Sequence, residues 1–152
     1  MKTTILLLAA TSMLASCGLF SNKPLEKGTP IENTKAAADA KMADKANIGK
    51  RFSVTGYLYY SPSLTVYTSR PQTVYLYASP NGEGENILAV AMSWSEGGKN
   101  TVFLPGDDRD KTKVIFYDND GKPHGMKDKV ILSFEKEESQ VYFQNPRIDV
   151  SP

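Results

Sequence analysis

One cysteine, one histidine, two groups of aspartates and a row of tyrosines are the residues of this chain able to act on, or hold, another molecule. A thiolate is a good nucleophile near neutral pH, where a serine hydroxyl is not, so Cys17 is the reactive group of first interest. His124 has no second histidine for a zinc pair. A serine triad would have to be built on it, yet no Gly-x-Ser-x-Gly elbow occurs. Aspartates gather at Asp107, Asp108 and Asp110, and again at Asp118 and Asp120 before Gly121. A calcium loop of the EF-hand type needs an acid seven residues beyond Asp120, where Met126 and Lys127 stand, and position 116 is Phe. That template fails, and "YDNDGK" reads as a hairpin turn in which Asp120 and Gly121 tolerate positive φ. A surface Ca²⁺ site shared between the two groups stays open, as does a catalytic pair of carboxylates. Tyr57 and Tyr59 on one strand, with Tyr67, Tyr75 and Tyr77 on the next ones, are expected to form one exposed aromatic patch. Aromatic rings there either stack on a ligand or form cross-strand pairs that stabilise a sheet or lie under a helix.

Cys17 stands at the end of a segment with its own logic. Lys2 is followed by "TTILLLAATSML", which reaches Leu14 without a charge, and the small residues Ala15 and Ser16 precede the cysteine. A basic start, an apolar middle and a small-residue cleavage site make a secretory signal. The apolar run is about half the ~20 residues that a membrane-crossing helix needs. Loss of residues 1–16 would remove one lysine and leave 17 basic against 17 acidic side chains. A neutral chain lacks the clustered Lys and Arg that supply most of the affinity for a phosphate backbone, so nucleic acid is disfavoured as a partner. With no second cysteine there is no disulfide framework.

The four residues "LASC" resemble the lipobox of bacterial lipoproteins. That resemblance implies a diacylglyceryl group on the Cys17 thiol, cleavage between Ser16 and Cys17, and acylation of the freed amine by a palmitate-type chain. Two or three acyl chains anchor stably where one is marginal. Gly18 follows the cysteine, so the aspartate that retains some lipoproteins at the inner membrane is absent. The resemblance then implies outer-membrane delivery with the domain facing the periplasm.

The rest of the chain must position the aromatic and acidic groups. Residues 17–29, rich in Gly, Pro, Ser and Asn, read as a flexible tether. A helix is predicted over 30–47, with Thr29 as cap, Pro30 in the first turn, Glu32 completing a capping box and a thin apolar face of Ile31, Ala38 and Met42. From Lys50 the period becomes two. Phe52, Val54, Leu58 and Tyr60 fall on one side and Ser53, Thr55, Tyr57 and Tyr59 on the other, with Gly56 marking a bend or bulge. Further strands are predicted at "LTVYT", "TVYLYA", "ILAVAMSW", "TVFLP", "KVIFY", "KVILSFEKE" and "QVYFQNPRIDV". Trp94 shares its alternation with Leu88, Val90 and Met92 and reads as core. Short strands with Gly, Pro and Asn between them make a mainly β domain over 48–152, a small antiparallel barrel or sandwich.

The stretches "NIGKRFSVTGYL" and "DKVILSFEKEESQVYFQNPRIDV", with an Ala, Asp and Lys-rich helix before the first, resemble bacterial envelope OB-fold proteins of the tRNA-anticodon-like type. That resemblance implies a bent first strand shared by both halves of a five-stranded barrel. Two departures stand out: the usual helix between strands three and four shrinks to "GDDRDKT", and an extra hairpin is inserted around 101–123. The expected function is binding or interaction in the cell envelope, without catalysis or cofactor. The membrane is reached through Cys17, a protein or glycan is the partner, and Tyr57, Tyr59, Tyr75 and Tyr77 are the ligand-binding residues. The alternatives are an envelope hydrolase using acidic residues and a structural subunit of an envelope complex.

Overall fold

The computed structural model describes residues 25–61, 70–106, 110–138 and 144–152. The signal segment, Cys17, the "LTVYT" strand with Tyr67, and Asp107 and Asp108 lie outside them. Among the described residues nine strands make one sheet: β1 (Thr29–Pro30), β2 (Arg51–Tyr59), β3 (Gln72–Tyr77), β4 (Asn86–Trp94), β5 (Thr101–Phe103), β6 (Ile115–Tyr117), β7 (Pro123–His124), β8 (Lys129–Glu135) and β9 (Gln144–Val150). Their spatial order is β7-β6-β5-β4-β3-β2-β8-β9, with β1 alongside β2. The protein is mainly β, a strongly curled half-barrel with, among the described residues, one α-helix, α1 (Lys35–Ala43).

Two-residue alternation determines which side of each strand is buried. Phe52, Val54, Leu58 and Tyr60 are buried, while Thr55, Tyr57 and Tyr59 are half-exposed on the outer face. Val74 and Leu76 of β3, Val90 and Met92 of β4, Leu132 and Phe134 of β8, and Ile148 of β9 complete the interior. Trp94 packs at its margin, with ring centroids 6.5 Å from Tyr60 and 5.8 Å from Phe103. Gly56 produces no bulge in β2: its register with β8 runs unbroken from Arg51↔Glu135 to Tyr57↔Lys129. The glycine serves close approach instead, since a Cβ there would lie 2.7 Å from the Tyr77 carbonyl oxygen.

The helix begins later than the capping box suggests. Thr29 and Pro30 pair in parallel with Phe52 and Ser53, and Ile31 donates to the Ser53 carbonyl at 2.9 Å, so this stretch is extended. Thr34 caps instead, its Oγ1 accepting from Ala37 N at 3.2 Å. The helix stops at Ala43, and a 3-10 turn over Lys45–Asn47 leads to Gly49 at φ 76°. Ala38 is buried and Met42 packs against the core, as the thin apolar face requires, and Ile31 packs there too, from the extended stretch before the helix.

The inserted strands are part of the barrel wall. β5 runs parallel to the end of β4, and β6 and β7 follow antiparallel. β9 meets this insertion through side-chain and loop groups: Ile148 N donates to Asn100 Oδ1 at 2.8 Å, and Asn119 N donates to the Ile148 carbonyl at 2.8 Å. Asn100 adopts φ 54°, a left-handed conformation that asparagine tolerates, and its amide stands in for a neighbouring strand's backbone. "YDNDGK" forms the hairpin, but only Gly121 takes positive φ, at 80°. Gly121 N reaches the Asp118 carbonyl and Asp118 N the Lys122 carbonyl, both at 3.0 Å, the pattern of a three-residue turn whose last residue is left-handed. Asp120 needs no positive φ.

The end of the expected tether is fastened down. Residues 25–30 cross the outer face of β9, β8 and β2 as a strap. Arg147 Nη1 donates to the Leu25 carbonyl, Arg51 Nε to the Glu26 carbonyl at 2.9 Å, Gly28 N to Ser133 Oγ at 3.0 Å, and Ser53 Oγ to the Gly28 carbonyl at 3.1 Å. Ser53 and Ser133 have outward positions on their strands and are nonetheless buried because the strap lies on them. A Cβ on Gly28 would sit 2.2 Å from the Phe52 carbonyl carbon and oxygen. Gly28→Ala is therefore expected to lift the strap. The lost hydrogen bonds, each worth about 1 kcal/mol net, are offset by regained chain entropy, for a stability loss on the order of 1–3 kcal/mol. Limited proteolysis should then cut within 25–30 while the barrel stays whole; a variant as protected as the parent would contradict the steric reading.

Candidate functional site

β2 and β3 bring the four tyrosines together. Tyr57 is opposite Tyr77 and Tyr59 opposite Tyr75, all half-buried on the outer face. Cross-strand neighbours on one face lie close enough for ring contact. Tyr59 and Tyr77 meet edge to face, with centroids 5.4 Å apart and planes at 77°. The Tyr59 ring also lies against the Pro80–Gly82 turn, because a Cβ on Gly82 would come within 2.8 Å of it. Tyr59 and Tyr77 thus brace the face. Tyr57 and Tyr75 have no ring partner among the described residues, and across β2 the neighbour of Tyr57 is the exposed Lys129.

The face continues onto β4 and a groove that no sequence pattern marks. Ala89 is the register partner of Tyr75, and Asn86 that of Tyr77 after an irregularity at Leu76/Tyr77. Both line a groove of about 240 Å³ between β4 and α1, whose other lining residues include Lys35, Asp39 and Met42. Helix and strand are tied at its end by Lys35 N donating to Glu85 Oε2 at 3.0 Å. Lys35 and Asp39, one helical turn apart, form an ion pair, so their charges cancel locally. Asn86 Oδ1 is buried and has no hydrogen-bond partner among the described residues. In the sequence Asn86 closes the turn-rich "SPNGEGEN" and looks like one more loop asparagine. Its burial follows from the helix lying beside β4, which is a tertiary event.

The acidic groups do other work. Asp118 is only 2% exposed. Its Oδ1 accepts from Asp120 N and Lys122 N, both at 2.8 Å, and its Oδ2 faces His124 Nε2 at 3.0 Å. Desolvation alone would raise its pKa. The bonds from His124, Lys122 N and Asp120 N, together with the histidine's charge, outweigh burial and hold it below the ordinary aspartate value. His124, read from sequence as a loop residue, is in β7 opposite Phe116, with Nδ1 4.0 Å from Asp128 Oδ2. Asp110 caps the 3-10 turn Lys111–Lys113, accepting from Thr112 N at 3.1 Å. Asp118 and Asp110 thus fasten loops, while Asp107 and Asp108 of the Ca²⁺ site that the sequence left open lie outside the described residues. Among the described residues no group of three or more His, Cys, Asp or Glu could hold a metal ion.

Compared with family models, curated proteins and solved structures, the chain matches none.

Proposed function

We propose that this protein is a lipid-anchored binding protein of the bacterial cell envelope, held through Cys17 and presenting the tyrosine face of its half-barrel to a partner. The observation that carries the binding role is that face: four tyrosines on two paired strands, two of them braced and two with no ring partner among the described residues. A rigid sheet that displays aromatic rings meets the basic requirement for stacking recognition. The anchor rests on "LASC" after an uncharged apolar run, and no described helix is long and apolar enough to cross a membrane. The strand connectivity supports reading the half-barrel as OB-like: β2, β3 and β4 form a meander, β2 is shared with β8, and β9 lies beside β8 and approaches β4. On this reading the domain is non-catalytic and faces the periplasm from the outer membrane.

Growth with a clickable fatty-acid analogue tests the anchor. The parent protein should carry label and fractionate with detergent-extractable membrane, and Cys17→Ala should lose both properties. Label that persists in Cys17→Ala would refute it. Cross-linking capture from envelopes tests the binding role: Tyr57→Ser with Tyr75→Ser should lose the partner and keep the parent's unfolding midpoint. Undiminished capture would remove the tyrosine face from the proposal.

A further inference from the structure

We infer that the tyrosine face and the groove between α1 and β4 form one site for an uncharged, hydroxyl-rich glycan segment; this deepens the binding role proposed above and rests on it. The two surfaces meet on β4, where Ala89 and Asn86 line the groove and are also the register partners of Tyr75 and Tyr77. A ligand lying on the free ring of Tyr75 is therefore one strand away from Asn86. The chemistry of that strip selects its occupant. Aromatic faces take up the apolar C–H face of a pyranose ring, and a planar amide beside them satisfies hydroxyl or acetamido donors. Asn86 Oδ1 is a buried acceptor that nothing in the described protein satisfies. Such an atom costs free energy until the Asn86 side chain turns toward the groove and a donor meets it, and hydroxyl-rich ligands bring donors in every sugar unit.

Charge argues against the other ligands that stack on tyrosines. A single-stranded nucleic acid needs a basic track along its backbone. Here Lys35 is neutralised by Asp39 on the groove side. Among the described residues, Lys129 is the one cation paired by register with these tyrosines. An anionic, phosphate-bearing ligand would gain little from such a strip, and an uncharged one loses nothing.

The test uses the full, lipidated protein in detergent micelles, titrated by calorimetry with uncharged oligosaccharides: hexamers of β-linked N-acetylglucosamine, β-linked glucose and α-linked glucose. A single-stranded thymidine oligonucleotide is the comparison. At least one hexamer should bind with an affinity that does not change between low and high salt. Tyr75→Ser should weaken it about five-fold or more, the loss of one stacking contact. Asn86→Ala should weaken it about five-fold while leaving the unfolding midpoint at or above the parent's, because the variant no longer buries an unpaired acceptor. No binding by any hexamer at millimolar concentration, binding indifferent to Tyr75→Ser, or preference for the oligonucleotide would each overturn the inference. Intact mass of the same preparation reports acylation at Cys17, so the anchor stands or falls separately. If a protein is captured through Tyr75 and no hexamer competes with it, the glycan inference fails and the binding role survives.

Discussion

Replacement of Asp118 by alanine is expected to destabilise the protein by about 3–5 kcal/mol, the usual cost of removing one partner from a buried charged network. The carboxylate serves three donors at once, and losing it strands Asp120 N, Lys122 N and His124 Nε2 inside the insertion. An ionised carboxylate only accepts hydrogen bonds, so Nε2 carries the proton in this pair. Asp118→Asn should cost less, about 1–2 kcal/mol, because one oxygen can still receive the two backbone N–H groups. The native pKa of Asp118 lies below its unfolded value. Its contribution is therefore complete above the ordinary aspartate pKa of about 4 and is lost as the pH falls through the lower native value. Urea midpoints measured down that acid limb should fall for the parent and fall less steeply for Asp118→Asn. Identical limbs would mean that Asp118 is not the group that titrates.

Phe116→Ala should cost a further large amount, about 3–5 kcal/mol, as deletion of a fully buried aromatic ring does. Phe116 is 0% exposed although it belongs to β6, which the sequence offers as an added hairpin. Its neighbours across the strands are Val102 and His124, and it joins the same apolar cluster as Leu132 and Ile148. If the insertion were ornament, truncating it would leave the barrel's transition almost unmoved. As part of the wall, it should shift the whole transition in one step. Trp94, the only tryptophan, touches both Tyr60 of the barrel and Phe103 of the insertion, so its fluorescence reports both halves. The double variant with Asp118→Ala should lose less than the two single losses added, because both act on one insertion. A separate, earlier transition for the insertion, or a loss below about 1 kcal/mol for Phe116→Ala, would show the insertion to be an independent unit.

The sequence discloses what has a local period. Two-residue alternation in β2 separates Val54, Leu58 and Tyr60 from Tyr57 and Tyr59, and the structure keeps that division. The turn at Asp118–Lys122 is legible from "DNDG", because left-handed backbone has a narrow set of residues that accept it. What stays hidden depends on contact between distant segments. Ser53 and Ser133 read as outward polar positions, and only the strap over them makes them buried acceptors and donors. Thr29 looks like a helix cap because capping is judged from its neighbours, and pairing with Phe52 overrides it. The tyrosine face was legible as a set of alternating residues. Asn86, Ala89 and the helix groove beside it were not, since no spacing announces that α1 lies against β4. His124 and Asp118 are six apart, a distance that means nothing until the hairpin folds them together.

The strap and the shared strand also govern the order in which this chain can fold. Gly28 bonds Ser133 across 105 residues, Arg51 meets Glu135 across 84, and Arg147 reaches Leu25 across 122. Structures dominated by such distant pairings have high contact order, and they close in milliseconds to seconds because loop entropy is lost before the contacts compensate it. Before the C-terminal strands are in place, β2, β3 and β4 can form their meander, but β2 has its second edge open until β8 is available. Val54 and Leu58 are exposed for that whole interval, beside an unpaired strand edge that invites pairing with other chains. Residues 129–152, which carry β8 and β9, therefore act as the latch of the fold: until they are present, the half-barrel remains an open, adhesive sheet.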